Sequence, residues 1–232
     1  MQKPPKDIAT ATHKLGYNPL SSNFGFFLTK IPLDILNLIK PEIDSLSKNF
    51  DSNINVNEGL VGEIQNEFEF NSPKPVNDYI YQQFLNFEQE SKFIEKHYFN
   101  SSTATFVHNQ PWVNFQKPTE YNPLHHHTGV ISWVIWYQIP YTFEEQQKFS
   151  LRTHSLNGYF SFLHATGEKS FNQTLINTIP LISDNRIEGH IAIFPSSLDH
   201  IVYPFYGTKD KYRITIAGNM SMVLGTIHPD LK

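Results

Sequence analysis

Two hydrophobic periods divide the chain. Up to about residue 100 the apolar positions recur at helical spacing, whereas from Ser101 onward they alternate with polar ones in segments separated by Pro, Gly and Asn. The run from Asn23 to Ile31 predicts a first strand. Pro32 then suits the opening turn of a helix carrying Ile35, Leu38 and Ile39, which Pro41 is expected to interrupt or kink. Asp51 to Gly59 reads as a polar loop. The longest helical pattern begins near Pro73 and sets Val76, Ile80, Phe84 and Phe87 on one stripe, so this helix should cover a sheet. The second half predicts strands at about 103–108, 111–117, 124–139, 149–153, 158–163, 175–182, 189–195, 200–204 and 211–224. That many short strands suggests a jelly roll. The class is therefore α+β, with N-terminal helices packed on the sheet of a jelly-roll core. Residues 1–22 lack periodicity and read as an extended arm; 23–232 read as a single domain, helix-rich over 23–100 and jelly roll over 101–232.

Composition narrows the chemistry more than the fold. A chain of 232 residues can bury a substantial core without disulfides. Cysteine is absent, which leaves His, Asp and Glu as the strong metal ligands. Lys and Arg number 18 against 22 Asp and Glu, a net charge of −4, and no basic run tracks a phosphate backbone; nucleic acid is not expected as a partner. Met1 to Asp7 lacks the apolar stretch of a signal peptide, and no run approaches the ~20 apolar residues of a membrane span. The expectation is a soluble, cytoplasmic protein without membrane contact.

The chemistry concentrates in Asn122-Pro-Leu-His-His-His-Thr-Gly-Val-Ile-Ser132, which runs into Trp133-Val-Ile-Trp-Tyr137. Side chains alternate faces along a strand, so His125 and His127 share a face and can chelate one ion while His126 points away. His126 could replace a neighbour under another register, and Glu120 could supply a carboxylate from the preceding turn. Farther on, Gly189 to Pro195 reads as a strand, followed by a turn and His200. Arg213 and Thr215 share one face of an apolar strand; a buried guanidinium calls for an anion, which its fork binds with two parallel bonds, and Thr215 adds a donor. His154, His164, His190 and His228 have no partner at a useful spacing.

The set His125-x-His127, Ser132, Phe194-Pro195-Ser196, His200-x-Val202-x-Pro204, Arg213-x-Thr215 and Asn219 resembles the 2-oxoglutarate/Fe(II)-dependent oxygenases, most nearly the hydroxylases of phages and marine microbes. The resemblance spans about Pro111 to Val223. It implies a double-stranded β-helix, a non-haem Fe(II) held by His125, His127 and His200, and Arg213 anchoring the far carboxylate of 2-oxoglutarate. It also implies that, with O₂, decarboxylation of 2-oxoglutarate to succinate drives hydroxylation of a protein side chain or small molecule. Asn114, Ser132 and Thr215 are candidate supporting groups, with Tyr137 facing the co-substrate if alternation from His127 is unbroken, or Trp136 if a bulge intervenes. His127 stands where the family carries Asp or Glu. Two other readings stay open: a cupin-like three-His metalloenzyme that does not use 2-oxoglutarate, and a non-catalytic jelly-roll binding or structural protein with a relic metal site.

Overall fold

Antiparallel pairing organises everything after the first helices, in two sheets that face each other. The computed structural model describes residues 14–21, 24–48, 50–98, 104–151, 156–170, 173–181, 183–207 and 210–224. The expected arm contributes an edge strand, β1 (Gly16–Pro19), paired with β2 (Gly25–Lys30). Helices α1 (Leu33–Leu46), α2 (Lys74–Ser91) and α3 (Phe93–His97) flank the short β3 (Glu67–Glu69). The remaining elements are β4 (Ala104–His108), β5 (Trp112–Gln116), β6 (Asn122–His125), β7 (Ile131–Gln138), α4 (Phe143–Gln147), β8 (Phe160–Ser170), β9 (Gln173–Leu181), β10 (His190–Pro195), β11 (His200–Val202) and β12 (Arg213–Leu224). The large sheet runs β1-β2-β10-β7-β12-β5-β3, with β4 also on β12; the small one runs β6-β11-β8-β9.

Each central strand buries both faces, against different partners. Ile131, Trp133 and Ile135 of β7 and Ile214 and Ile216 of β12 join the helix stripe Val76, Ile80, Phe84 and Phe87 in one core. The alternate residues Val134 and Trp136 turn toward the small sheet and pack with Phe160, Phe162 and Phe194. The helices therefore cover the outer face of the large sheet, and the space between the sheets is left for the site. Burial of this kind contributes roughly 25 cal/mol per Å² of apolar surface, which is why both faces read as hydrophobic.

Three expectations about elements change. The single strand 124–139 is two, because the chain leaves the small sheet after His125 and enters the large one at Ile131; Gly129 takes the turn with φ +93, and a Cβ there would lie 2.8 Å from the Met220 carbonyl. Within the expected strand 149–153, Phe149 to Leu151 form the turn after α4, and Arg152 and Thr153 lie outside the described residues. Pro41 sits inside α1 without interrupting it. The polar loop 51–59 carries two short 3-10 turns.

Phe84 is 1% exposed within the helix-facing core, so Phe84→Ala should cost about 3–5 kcal/mol in chemical denaturation, whereas Leu85→Ala on the outer side of α2 should stay within about 0.5 kcal/mol.

Candidate metal and co-substrate site

The three imidazoles meet where two strands change sheets side by side. The chain passes from β6 in the small sheet to β7 in the large one through 126–130, and from β10 in the large sheet to β11 in the small one through the turn 196–199. Backbone bonds tie the crossings together: His127 N donates to Ser196 O at 2.9 Å and Ser196 N to Val130 O at 3.0 Å. His125 lies directly opposite His200 in the β6–β11 pair, and His127 follows on the first crossing. One nitrogen from each of the three lies within 4.8 Å of the others.

Hydrogen bonds fix which nitrogens face inward. His125 Nδ1 bonds to Pro123 O at 2.6 Å and His200 Nδ1 to Leu198 O at 3.0 Å; both acceptors are carbonyls, so Nδ1 carries the proton and Nε2 keeps its lone pair. His127 Nε2 stands 3.1 Å from His200 Nε2. Two ligands at ~2.1 Å from one ion and at right angles would be separated by about 3 Å, so the pair fits a shared cation. Burial lowers the pKa of all three. His127 is held at about 3 by burial and then by His125 and His126, and His200 well below its usual range by burial and then by His125 and His127. Neutral imidazoles are the ligating form. The ring of Phe160 stacks on His200 at 5.3 Å between centroids, giving the centre an apolar wall.

The other end of the same cavity holds Arg213, which is 1% exposed. Its Nε and Nη2 both donate to Gln116 Oε1 at 2.9 and 2.7 Å. Nη1 donates to Tyr141 Oη at 2.7 Å and to Gly158 O at 3.1 Å, and Nη2 also to Tyr203 O at 2.8 Å. Phe205 lies 5.4 Å beneath the guanidinium and stacks on Tyr141. Every N–H is satisfied, yet every acceptor is neutral, so the charge has no counterion among the described residues. Burial raises the pKa of Tyr141 against the opposing pull of Arg213, which keeps its hydroxyl able to donate to Gly158 O at 3.0 Å.

The remaining expected residues divide. Thr215 and Asn114 line the cavity, and Asn114 Nδ2 donates to Thr215 Oγ1 at 3.1 Å, leaving the Thr215 hydroxyl proton free to be donated inward. Ser132 does not reach it: its buried hydroxyl meets Asn219 Oδ1 at 2.7 Å and Ser196 Oγ at 2.9 Å, and so braces the turn that carries His200. Tyr137 is on the wrong face. Because the crossing resets the alternation, Trp136 lines the cavity and Tyr137 packs on the helix side, where Lys40 and Asp44 act on its hydroxyl. His126 is exposed and pairs with Asp199 at 3.2 Å, and the Glu120 carboxylate accepts from the backbone of Lys117 and Gln65, so neither substitutes for a ligand.

Two buried groups carried no signal that stood out in the sequence. Gln116 caps the fork of Arg213, and its place two residues after Asn114 puts it on the same face of β5. Glu67 is 1% exposed on the three-residue β3, opposite Asn114, and burial with the nearby Glu120 carboxylate pushes its pKa up to about 8.

Residues 110–219, just under half of the chain, match the family described as "Putative 2OG-Fe(II) oxygenase". That stretch carries His125, His127, His200, Arg213 and Thr215, and over it the chain is similar to the 2-oxoglutarate/Fe(II) oxygenases. Among solved structures, the chain is similar to a Pseudomonas putida prolyl-4-hydroxylase, at 13% identity and TM-score 0.53 over 86% of this chain and 94% of that one. AviO1 from Streptomyces viridochromogenes Tue57 gives 13% and 0.47 over 90% and 94%. A Trichoplax adhaerens prolyl hydroxylase, in complex with a hypoxia inducible factor peptide fragment, gives 12% and 0.45 over 84% and 83%. The first of these supports the jelly-roll fold. No curated protein matches. None of the described helices is long and apolar enough to cross a membrane.

The raised pKa of Glu67 has a measurable sign. The unfolded carboxyl, near 4.5, loses its proton first, so the stability it contributes is full below about pH 4.5 and is lost as pH rises through about 8. Glu67→Gln should therefore gain stability relative to the wild type between those limits, by at most about 1.4 kcal/mol per pH unit, in denaturant melts of the metal-free protein.

Proposed function

We propose that the protein is a non-haem Fe(II), 2-oxoglutarate-dependent dioxygenase. It would couple decarboxylation of 2-oxoglutarate to succinate with hydroxylation of a protein side chain or a small molecule. One observation carries this reading: three neutral imidazoles and a buried guanidinium line one cavity in which, among the described residues, there is no carboxylate. A dianion that is also a metal chelator complements both ends.

His125, His127 and His200 would hold the iron, which when bound supplies activation of O₂ at the expense of the co-substrate. The chain's own groups do the rest. Gln116 Oε1 occupies the Nε/Nη2 edge of Arg213, the edge at which a carboxylate accepts two parallel bonds, so the far carboxylate displaces Gln116 and brings the charge its amide oxygen lacks. Thr215, oriented by Asn114, donates a further bond. Trp136, Phe160 and Phe194 keep water from the reacting atoms.

A second reading, a three-His metalloenzyme that needs no 2-oxoglutarate, draws on the fact that all five N–H groups of Arg213 already have protein acceptors. Arg213→Ala separates the two. Protein loaded anaerobically with Fe(II) should develop a metal-to-ligand absorption band on addition of 2-oxoglutarate and lose it in His200→Ala. In Arg213→Ala the band should need at least ~10-fold more co-substrate, as expected for a lost charged hydrogen bond. An equal requirement in Arg213→Ala would favour the second reading; no band and no succinate from the wild type would sink the first.

A further inference from the structure

Two of the three imidazoles, His125 and His127, are shared between two chambers. The one described above ends at Arg213; the other is bounded by Glu67 and the Gly59–Val61 segment, with Trp112, Asn122, His125 and His127 lining both. Neither oxygen of the buried Glu67 carboxylate has a hydrogen-bond partner among the described residues, and the same holds for Asn122 Oδ1 beside it. Gly62 lets the covering segment lie directly on these groups, since an added Cβ would overlap Asn122 Oδ1 and come 3.4 Å from Glu67 Oε1. No Lys or Arg among the described residues lines this chamber. Native proteins leave few buried polar atoms unpaired, and three around one chamber call for a partner from outside the fold.

We propose that Glu67, with Asn122, forms the prime-substrate end of the cavity and receives a cationic nitrogen, the ammonium or guanidinium of a basic substrate. The calling of this end "prime-substrate" rests on the oxygenase reading; the binding does not. Charge sorts the two ligands: an anion is drawn to Arg213, a cation to Glu67, and the imidazoles of His125 and His127 line both chambers. A carboxylate and a cation paired away from water form a strong, directional bond. The groups facing Glu67 fit the assignment. Glu120 adds negative potential, and His125, His126 and His127 line the same chamber without opposing positive charge from an Arg or Lys. The carboxyl that keeps its proton when alone gives it up when a cation arrives, so binding should release protons.

Calorimetry on the full chain, without iron or 2-oxoglutarate, tests this with n-butylammonium and n-butylguanidinium against 1-butanol. One of the cations should bind at least tenfold more tightly than the alcohol, and that preference should disappear in Glu67→Gln. Wild-type binding at pH 7 should also release close to one proton, read from heats in buffers of different ionisation enthalpy. Equal binding of alcohol and cations, no binding of either cation, or a preference retained in Glu67→Gln would overturn the assignment. Should Glu67→Gln fail to fold by circular dichroism, the wild-type proton release decides, and its absence is equally fatal. Because neither iron nor co-substrate is present, this outcome is independent of the absorption band that tests the oxygenase reading.

Discussion

The two backbone bonds that join Ser196 to His127 and Val130 are the constraint on which the site depends. Each crossing on its own would be a loop with a free path between sheets. Bonded to each other, they place the end of β6 and the start of β11 in register, so that His125 faces His200 and His127 closes the triangle. Ser132 strengthens the same joint from inside the large sheet, through Ser196 and Asn219. The geometry needed to gather three nitrogens around a point is thus supplied by main chain and braced by a hydroxyl. His125 and His200 sit at the ends of strands whose middles are fixed by packing, and His127, on the crossing, is held by its backbone bond to Ser196 O.

A second constraint is electrostatic. The inter-sheet space is lined by aromatic rings and β-strand faces, so any charge in it is expensive unless it is paired. Arg213 solves only half of that problem. Its hydrogen bonds are complete, and Phe205 offers a ring face, but no carboxylate answers it. Glu67 has the complementary condition, a carboxyl without donors that retains its proton. The two do not meet; the imidazoles and Trp112 stand between them. A buried guanidinium without a counterion and a buried carboxyl without a donor, kept apart at a cost in stability, are each available to a ligand of complementary charge.

Much of this was legible in the residues and some was not, for definite reasons. The helix stripe from Val76 to Phe87 and the strands containing Trp112, Arg213 and His190 follow from periodicity, because burial on a face imposes it. The pair His125 and His127 was legible as a chelate, though not for the reason of strand alternation: His127 lies beyond the end of β6, on the crossing. That same break moved Tyr137 to the helix face and Trp136 to the cavity, since one non-strand segment resets which residues point inward. A Gly in the αL region within an apolar run was the available sign of the break. Glu67 was beyond reach. Its strand has three residues, too few to display a period, and a buried carboxylate looks like a surface one until its surroundings are known.

His127 gives the centre its distinguishing property. Where a carboxylate ligand would lend one negative charge, three imidazoles lend none, and burial ensures that none is protonated in exchange. A divalent ion at this point would stand in one cavity with the positive charge of Arg213, with no acidic side chain lining the space between. Each would raise the affinity of the site for an incoming dianion, and linkage requires the dianion to raise the affinity for the ion by the same factor. On the proposed reading, ion and co-substrate would then be held more tightly as a pair than either alone, and the charge of a three-imidazole centre would be completed by the ligand that binds beside it.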